Sequence, residues 1–239
     1  MNILAIGAHP DDIEINCAGT LAKYEKQGHK VFTATATNGN VGSATLPMAE
    51  IAKIRKEEAR RAAAHIGAEY ICLDYDDEMF FEDRDARINF INLVRYCKAD
   101  VILTHSPHDY NPDHMLTSKI VNDIPIMIPV AKIETKAKPY DKIPLVVYFE
   151  PVHGLGFNPT DYVDITEEME TKLAMCYEHK SQIEWMNANY KDTLDENSDF
   201  FKNVIITNKF RGMQCGVEYA EAFVMAKDGY RVVPRRILP

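Results

Sequence analysis

Across residues 1–150 the apolar positions switch repeatedly between two periods. Short runs rich in β-branched residues predict strands near 2–8 (NILAIGA), 30–37 (KVFTATAT), 70–73 (YICL), 101–104 (VILT) and 145–149 (LVVYF). Between them, stretches with apolar residues three and four apart predict helices near 17–27, 48–66, 84–98 and 114–123. Gly28 and Gly67 stand where the first two helices would need a left-handed C-cap. Strands alternating with helices of this length predict a parallel sheet joined by helical crossovers. After Glu150 the pattern changes. Val163-Asp164-Ile165 predicts a short strand, Thr166 an N-cap for a helix to about 179, a further helix spans about 197–211 and stops at Gly212, and 217–225 returns as an edge strand.

No repeat, low-complexity tract or Gly/Ser linker interrupts residues 1–239, so the pattern predicts a single domain with a core over 1–150 and a C-terminal elaboration over 151–239. Ala131 to Pro144, rich in lysine and proline, reads as an exposed loop. Composition narrows the class further. The 27 Lys+Arg against 36 Asp+Glu give a formal net charge of -9, which repels phosphate backbones and argues against nucleic acid as a partner. Five scattered cysteines (Cys17, Cys72, Cys97, Cys176, Cys215) form no C-x-x-C pair and read as reduced thiols of a cytoplasmic protein. The apolar run Ile3 to Ala8 is too short for a signal peptide, and Ile124 to Ala131, broken by prolines, falls far below the roughly 20 residues of a membrane span.

Two polar clusters carry the candidate chemistry. Ala8-His9-Pro10-Asp11-Asp12 follows the first strand directly, and His9 and Asp12 at that spacing can converge on one divalent cation while Asp11 stands beside them as a candidate proton acceptor. The acidic pair could equally cap the following helix. His105-Ser106-Pro107-His108-Asp109-Tyr110-Asn111-Pro112-Asp113-His114 follows the fourth strand, with three histidines in ten residues of a chain that has eight. In a doubly wound, Rossmann-like sheet of order 3-2-1-4-5, strands 1 and 4 are neighbours whose crossovers diverge, and ligands bind at their carboxyl ends. Both clusters fall at that point. Two histidines with a carboxylate suit hydrolytic zinc better than magnesium, which prefers oxygen ligands.

These motifs resemble those of the LmbE-like, or PIG-L, family of zinc-dependent N-acetylglucosaminyl deacetylases. The A-H-P-D-D run, the P-D-H run at Pro112-Asp113-His114, the Arg55/Glu58 helix, Asp77, His179-Lys180-Ser181-Gln182 and Ala220-Glu221-Ala222-Phe223 all look similar. The resemblance implies one zinc per subunit held by His9, Asp12 and His114, with Asp11 as general base. Arg55 would contact substrate or order the site, and Asp77 would hydrogen-bond a sugar hydroxyl. It further implies a small amino-sugar substrate and, as in some members, a trimer or hexamer. Many members carry a histidine where this chain has Asn111, thought to pair with the following Asp, here Asp113. Asparagine can donate a hydrogen bond to an oxyanion but cannot transfer a proton, so either Asp11 serves as both base and acid, or His108 or His105 protonates the leaving amine, or catalysis is weakened or different. Two rival readings stay open: a metal hydrolase of another acyl amide, and a sugar-binding protein that keeps the metal without turnover. His29 and His65 read as structural or solvated, His153 as a loop residue near the site, and His179 either as family-like or as a helix C-terminal cation.

Overall fold

The structure is a computed structural model that describes residues 1–189, 200–227 and 238–239. Five parallel strands form its centre: β1 (Asn2–Gly7), β2 (Lys30–Thr37), β3 (Glu69–Tyr75), β4 (Val101–Thr104) and β5 (Leu145–Phe149). β6 (Asp161–Asp164) and β7 (Ala220–Met225) extend them to a seven-stranded sheet of order β3-β2-β1-β4-β5-β7-β6, with β7 antiparallel to both β5 and β6. The expected 3-2-1-4-5 core is therefore present.

β1 shows why both faces must be covered. Ile3 and Ala5 point to one face and Leu4 and Ile6 to the other, and all four are fully buried. On the first face lie α1 (Asp12–Lys26), the end of α2 (Met48–Ala64) and α5 (Met169–Cys176), through Ile13, Leu21, Ala62 and Met175. On the second lie α3 (Arg84–Cys97) and α4 (Pro112–Asp123), through Phe90, Val94, Ile120 and Val121. The register pairs Ile6 with Thr35's neighbour Ala34 on one side and with Thr104 on the other, so β1 and β4 end together while α1 and α4 leave to opposite faces. That divergence opens a crevice at their carboxyl ends. Among the described residues no helix is long and apolar enough to cross a membrane.

Several boundaries differ from expectation for identifiable reasons. α1 starts at Asp12, five residues before the expected 17, because Asp11 takes a positive φ of 120° and the chain turns straight from the strand into the helix. α4 likewise starts at Pro112, with Asn111 as its N-cap, and not at 114. The helix expected from Thr166 to 179 is split: Thr166 is tied by its N–H and hydroxyl to Asp164 Oδ1, α5 begins only at Met169, and α6 (Lys180–Asn189), absent from the sequence reading, restarts after His179. The Ser181 N–H and Oγ–H donate to Glu58 of α2 (2.9 and 2.6 Å), which caps this second helix.

The helix expected over 197–211 is α7 (Phe200–Cys215); its expected start at 197–199 lies outside the described residues. Gly212 does not stop α7. It sits inside the helix, where a Cβ would come within 2.6 Å of the Glu218 carbonyl, and Gly216, at φ +81°, ends it. The returning strand begins at Ala220 and is internal to the sheet, with β6 at the edge beside it; β6 itself runs 161–164, two residues earlier than expected.

Candidate active site

The crevice above β1 and β4 gathers both polar clusters. The Asp11 turn and the first residue of α1 bring His9 and Asp12 to one side, and the His9 N–H donates to Asp12 Oδ2 (2.6 Å), holding that carboxylate in place. Asn111 performs the equivalent task on the other side: its Oδ1 accepts from the Asp113 and His114 N–H groups (2.8 and 3.2 Å), and so starts α4 with His114 turned inward.

The donor atoms of three side chains then face one another, Asp12 turning one oxygen toward each histidine. His9 Nδ1 lies 3.2 Å from His114 Nε2, His114 Nε2 lies 3.2 Å from Asp12 Oδ1, and His9 Nδ1 lies 3.5 Å from Asp12 Oδ2. A tetrahedral centre with bonds of about 2.0–2.1 Å has edges of about 3.3 Å between its ligand atoms. The donor set His9, Asp12 and His114 therefore fits a small divalent cation both in type and in spacing. Each imidazole also has a carboxylate on its far nitrogen: Asp77 Oδ1 is 2.9 Å from His9 Nε2, and Asp109 Oδ1 is 3.1 Å from His114 Nδ1.

The electrostatics follow from this crowding. Burial works against charge on His9, yet the carboxylates of Asp113, Asp12 and Asp77 hold its pKa well above the ordinary value. Burial opposes ionisation of Asp12 too, and is overcome by His114 and His105, which hold it well below the usual carboxylate range. For His114, burial is outweighed by Asp12 and Asp109, which raise it to about 9. Asp11 behaves oppositely: burial pushes it up to about 6, with Asp12 adding to the rise and Arg55 opposing it.

The remaining expected residues divide into two groups. Arg55 is brought in, but beneath the site: its Nη2 donates to the Pro10 carbonyl (2.7 Å) and lies 3.4 Å from Asp11 Oδ1, while its Nη1 is 3.7 Å from Asp77 Oδ2. Asp113 turns its Oδ2 to the Glu78 N–H (2.9 Å) and lies 3.5 Å from His9 Nε2, so its carboxylate does not pair with the Asn111 side chain. Asn111 itself donates from Nδ2 to Glu78 Oε1 (3.3 Å). His105 is interior. It accepts the Ala8 N–H at Nε2 (2.9 Å), stacks on the His114 ring at 4.0 Å between centroids, and is pushed down by burial to about 4, so it is a neutral support and not a group facing substrate. His108 and His153 are exposed and line the cleft. His179 is fully buried against Glu14 (3.2 Å), and His65 pairs with Glu178 at the surface.

Sequence reasoning missed Asp109 as the partner of His114, although it stands within the histidine-rich run. It also missed Glu78, Tyr110 and Trp185 as walls of the cleft. That cleft has a volume of about 1090 Å³, with His9, Asp12 and His114 at its floor and Asp11 beside them.

A doubly wound α/β sheet with a two-histidine, one-aspartate donor set at its switch point defines a class of metal-centre proteins, and comparison with known proteins narrows it. The profile of the PIG-L family, described as GlcNAc-PI de-N-acetylase, matches residues 4–124. The chain is 26% identical to the diacetylchitobiose deacetylase of Thermococcus kodakarensis over 76% of this chain and 70% of that protein. It is 28% identical to the 4-oxalmesaconate hydratase of Pseudomonas putida over 72% of this chain and 70% of that protein. In fold it is similar to the N,N'-diacetylchitobiose deacetylase from Pyrococcus horikoshii solved with an inhibitor, at a TM-score of 0.79 and 24% identity over 94% of this chain and 83% of that one. The chain belongs to the PIG-L family.

Proposed function

We propose that this protein is a zinc-dependent N-deacetylase that hydrolyses the acetamide of an N-acetylglucosamine-type sugar or glycoside. The observation that carries the reading is the convergence of His9, Asp12 and His114, whose donor atoms approach one another to 3.2 to 3.5 Å, at the floor of an open cleft. The deacetylase among its relatives supports the choice of reaction. Zinc held there would polarise the amide carbonyl and bring the pKa of water down to about 7.

The chain's own residues supply the rest. Asp11 accepts the proton of the attacking water at its carboxylate, which Arg55 holds through Oδ1 and through the neighbouring Pro10 carbonyl. The carboxylates of Asp77 and Asp109 stand 2.9 and 3.1 Å from the far nitrogens of His9 and His114, and in this reading their charge favours the ring orientation that turns the other nitrogen toward the cleft floor. Asn111 and Asp113 build the start of α4, the amide of Asn111 being occupied on both its oxygen and its nitrogen. The proton for the leaving amine falls to His108, the exposed imidazole on the cleft wall next to that helix. Asp77, expected to meet a sugar hydroxyl, serves in this reading as the orienting partner of His9.

The hydratase relative suggests alkene hydration as a second reading. Its substrate, by name an acid, calls for cationic side chains. Among the described residues lining the cleft Arg55 is the only Arg or Lys, and it is buried under Asp11 and Asp77. The deciding experiment measures metal content and acetate release from N-acetylglucosamine conjugates, with and without a chelator, for the native protein and Asp11→Ala. Loss of a general base costs about 10²- to 10⁴-fold in rate. Protein that retains no zinc, or an Asp11→Ala variant as fast as the native one, would overturn the assignment; metal and sugar binding without acetate release would favour a non-catalytic sugar-binding protein.

A further inference from the structure

We infer that the substrate is an uncharged amphipathic molecule, whose amino sugar sits on the polar floor while an apolar arm on its leaving-amine portion lies against the cleft rim. The inference rests on the deacetylase reading and names its substrate class. Two independent observations carry it.

The first is the shape and chemistry of the walls. A volume of about 1090 Å³ lies at the upper end of the roughly 300–1,000 Å³ of sites for drug-sized ligands, and exceeds what one sugar ring needs. Above the floor, four separate parts of the chain each contribute an apolar side chain to the lining: Val41 before α2, Tyr110 and Met115 around the start of α4, Leu155 between β5 and β6, and Trp185 on α6. Leu155 is 85% exposed and Tyr110 74%, so this apolar surface faces solvent at the mouth of the site and is not part of the core. Tyr110 also meets the His114 ring edge-on at 5.6 Å between centroids, which makes the apolar wall continuous with the floor.

The second observation is charge. The described lining residues include the carboxylates of Asp11, Asp12, Asp77, Glu78 and Asp109 against the single guanidinium of Arg55, which is 4% exposed and held by the Pro10 carbonyl. A phosphodiester or carboxylate arm would meet no free Lys or Arg among these residues, and even with a divalent cation held by His9, Asp12 and His114 the five carboxylates would keep the negative charge in excess. An apolar arm loses nothing to that field and gains by leaving water.

The test compares kcat/KM of the zinc-loaded protein for N-acetylglucosamine, its phenyl β-glycoside and its 1-phosphate. The phenyl glycoside is expected to exceed the free sugar at least tenfold, and the 1-phosphate to fall below the free sugar. Leu155→Asn is expected to cut the ratio of the phenyl glycoside to the free sugar at least threefold, and an unchanged ratio would remove Leu155 from the wall. Equal constants for phenyl glycoside and free sugar, or preference for the 1-phosphate, would overturn the inference. If none of the three is hydrolysed, the deacetylase reading fails. Calorimetry of the same three compounds then decides the substrate class alone: a tenfold tighter phenyl glycoside supports it, and equal affinities remove it.

Discussion

An imidazole that binds a cation through one nitrogen presents the other to the protein, and the group it meets there decides how firmly the first is aimed. His9 meets Asp77 and His114 meets Asp109, at 2.9 and 3.1 Å. Asp109 Oδ1 is fixed by the Asn111 N–H (3.1 Å) and so kept beside the His114 ring. Asp109→Asn is expected to weaken zinc binding about 10- to 100-fold, the usual effect of removing such a partner. Competition against a chromophoric chelator measures it, and an unchanged dissociation constant would count against the role. The convergence of His9, Asp12 and His114 was legible in the chain, because they stand in polar clusters that begin directly after apolar runs that end as strands. Asp109 was not, since two aspartates flank Asn111 and only the direction of the side chains tells which one reaches the ring. Asn111 was read as a possible oxyanion donor by its position; its work as a helix cap depends on α4 beginning two residues earlier than the apolar period indicates.

At the level of elements, α1 owes its seating to an ion pair bonded to its backbone. The Gly19 and Thr20 N–H groups donate to Glu221 of β7 (3.0 and 2.7 Å), and Lys172 of α5 donates from Nζ to the Ile15 carbonyl and to Glu221 Oε1 (2.7 and 2.6 Å). The pair thereby ties α1 to both α5 and β7. Gly19 is required there because a Cβ would approach Ile165 within 2.8 Å. Lys172 and Glu221 are 0% and 1% exposed, and removing one partner strands the other in the interior. Glu221→Ala is therefore expected to cost about 3–5 kcal/mol, seen as a drop in Tm of order 10 °C for a chain of this length. Lys172→Met combined with Glu221→Gln should recover part of it. A single variant that melts with the native protein would refute the account. The five parallel strands and their crossover helices were legible because β1, β4 and β5, buried on both faces, read as apolar runs, while β2 and β3 are rich in β-branched and aromatic residues between helical periods. The C-terminal part was not: α6 is capped by Glu58, 123 residues away in sequence from Ser181, and Gly212 is a close-contact glycine that looks identical to a helix stop.

For the whole molecule, the formal charge of -9 is unevenly spent. Asp11, Asp12, Asp77 and Asp113 are all buried at one end of the sheet, where the positive N-terminal ends of α1 and α4 favour them but cannot neutralise them. A divalent cation between His9, Asp12 and His114 would offset that charge and join α1 to α4, the two helices that leave β1 and β4 for opposite faces. Because these ligands converge only in the folded chain, the cation should stabilise it by mass action. At a free concentration of one hundred times the dissociation constant the gain is about 2.7 kcal/mol, which for 239 residues corresponds to a rise in Tm of roughly 5–10 °C. Thermal denaturation with added zinc, and then with chelator, should show the rise and its reversal. His114→Ala, which removes one donor and leaves the sheet intact, should melt at the same temperature in both conditions. A native protein whose Tm ignores zinc, or a His114→Ala variant that still responds in full, would place the cation elsewhere and detach the acidic end of the sheet from the chemistry assigned to it.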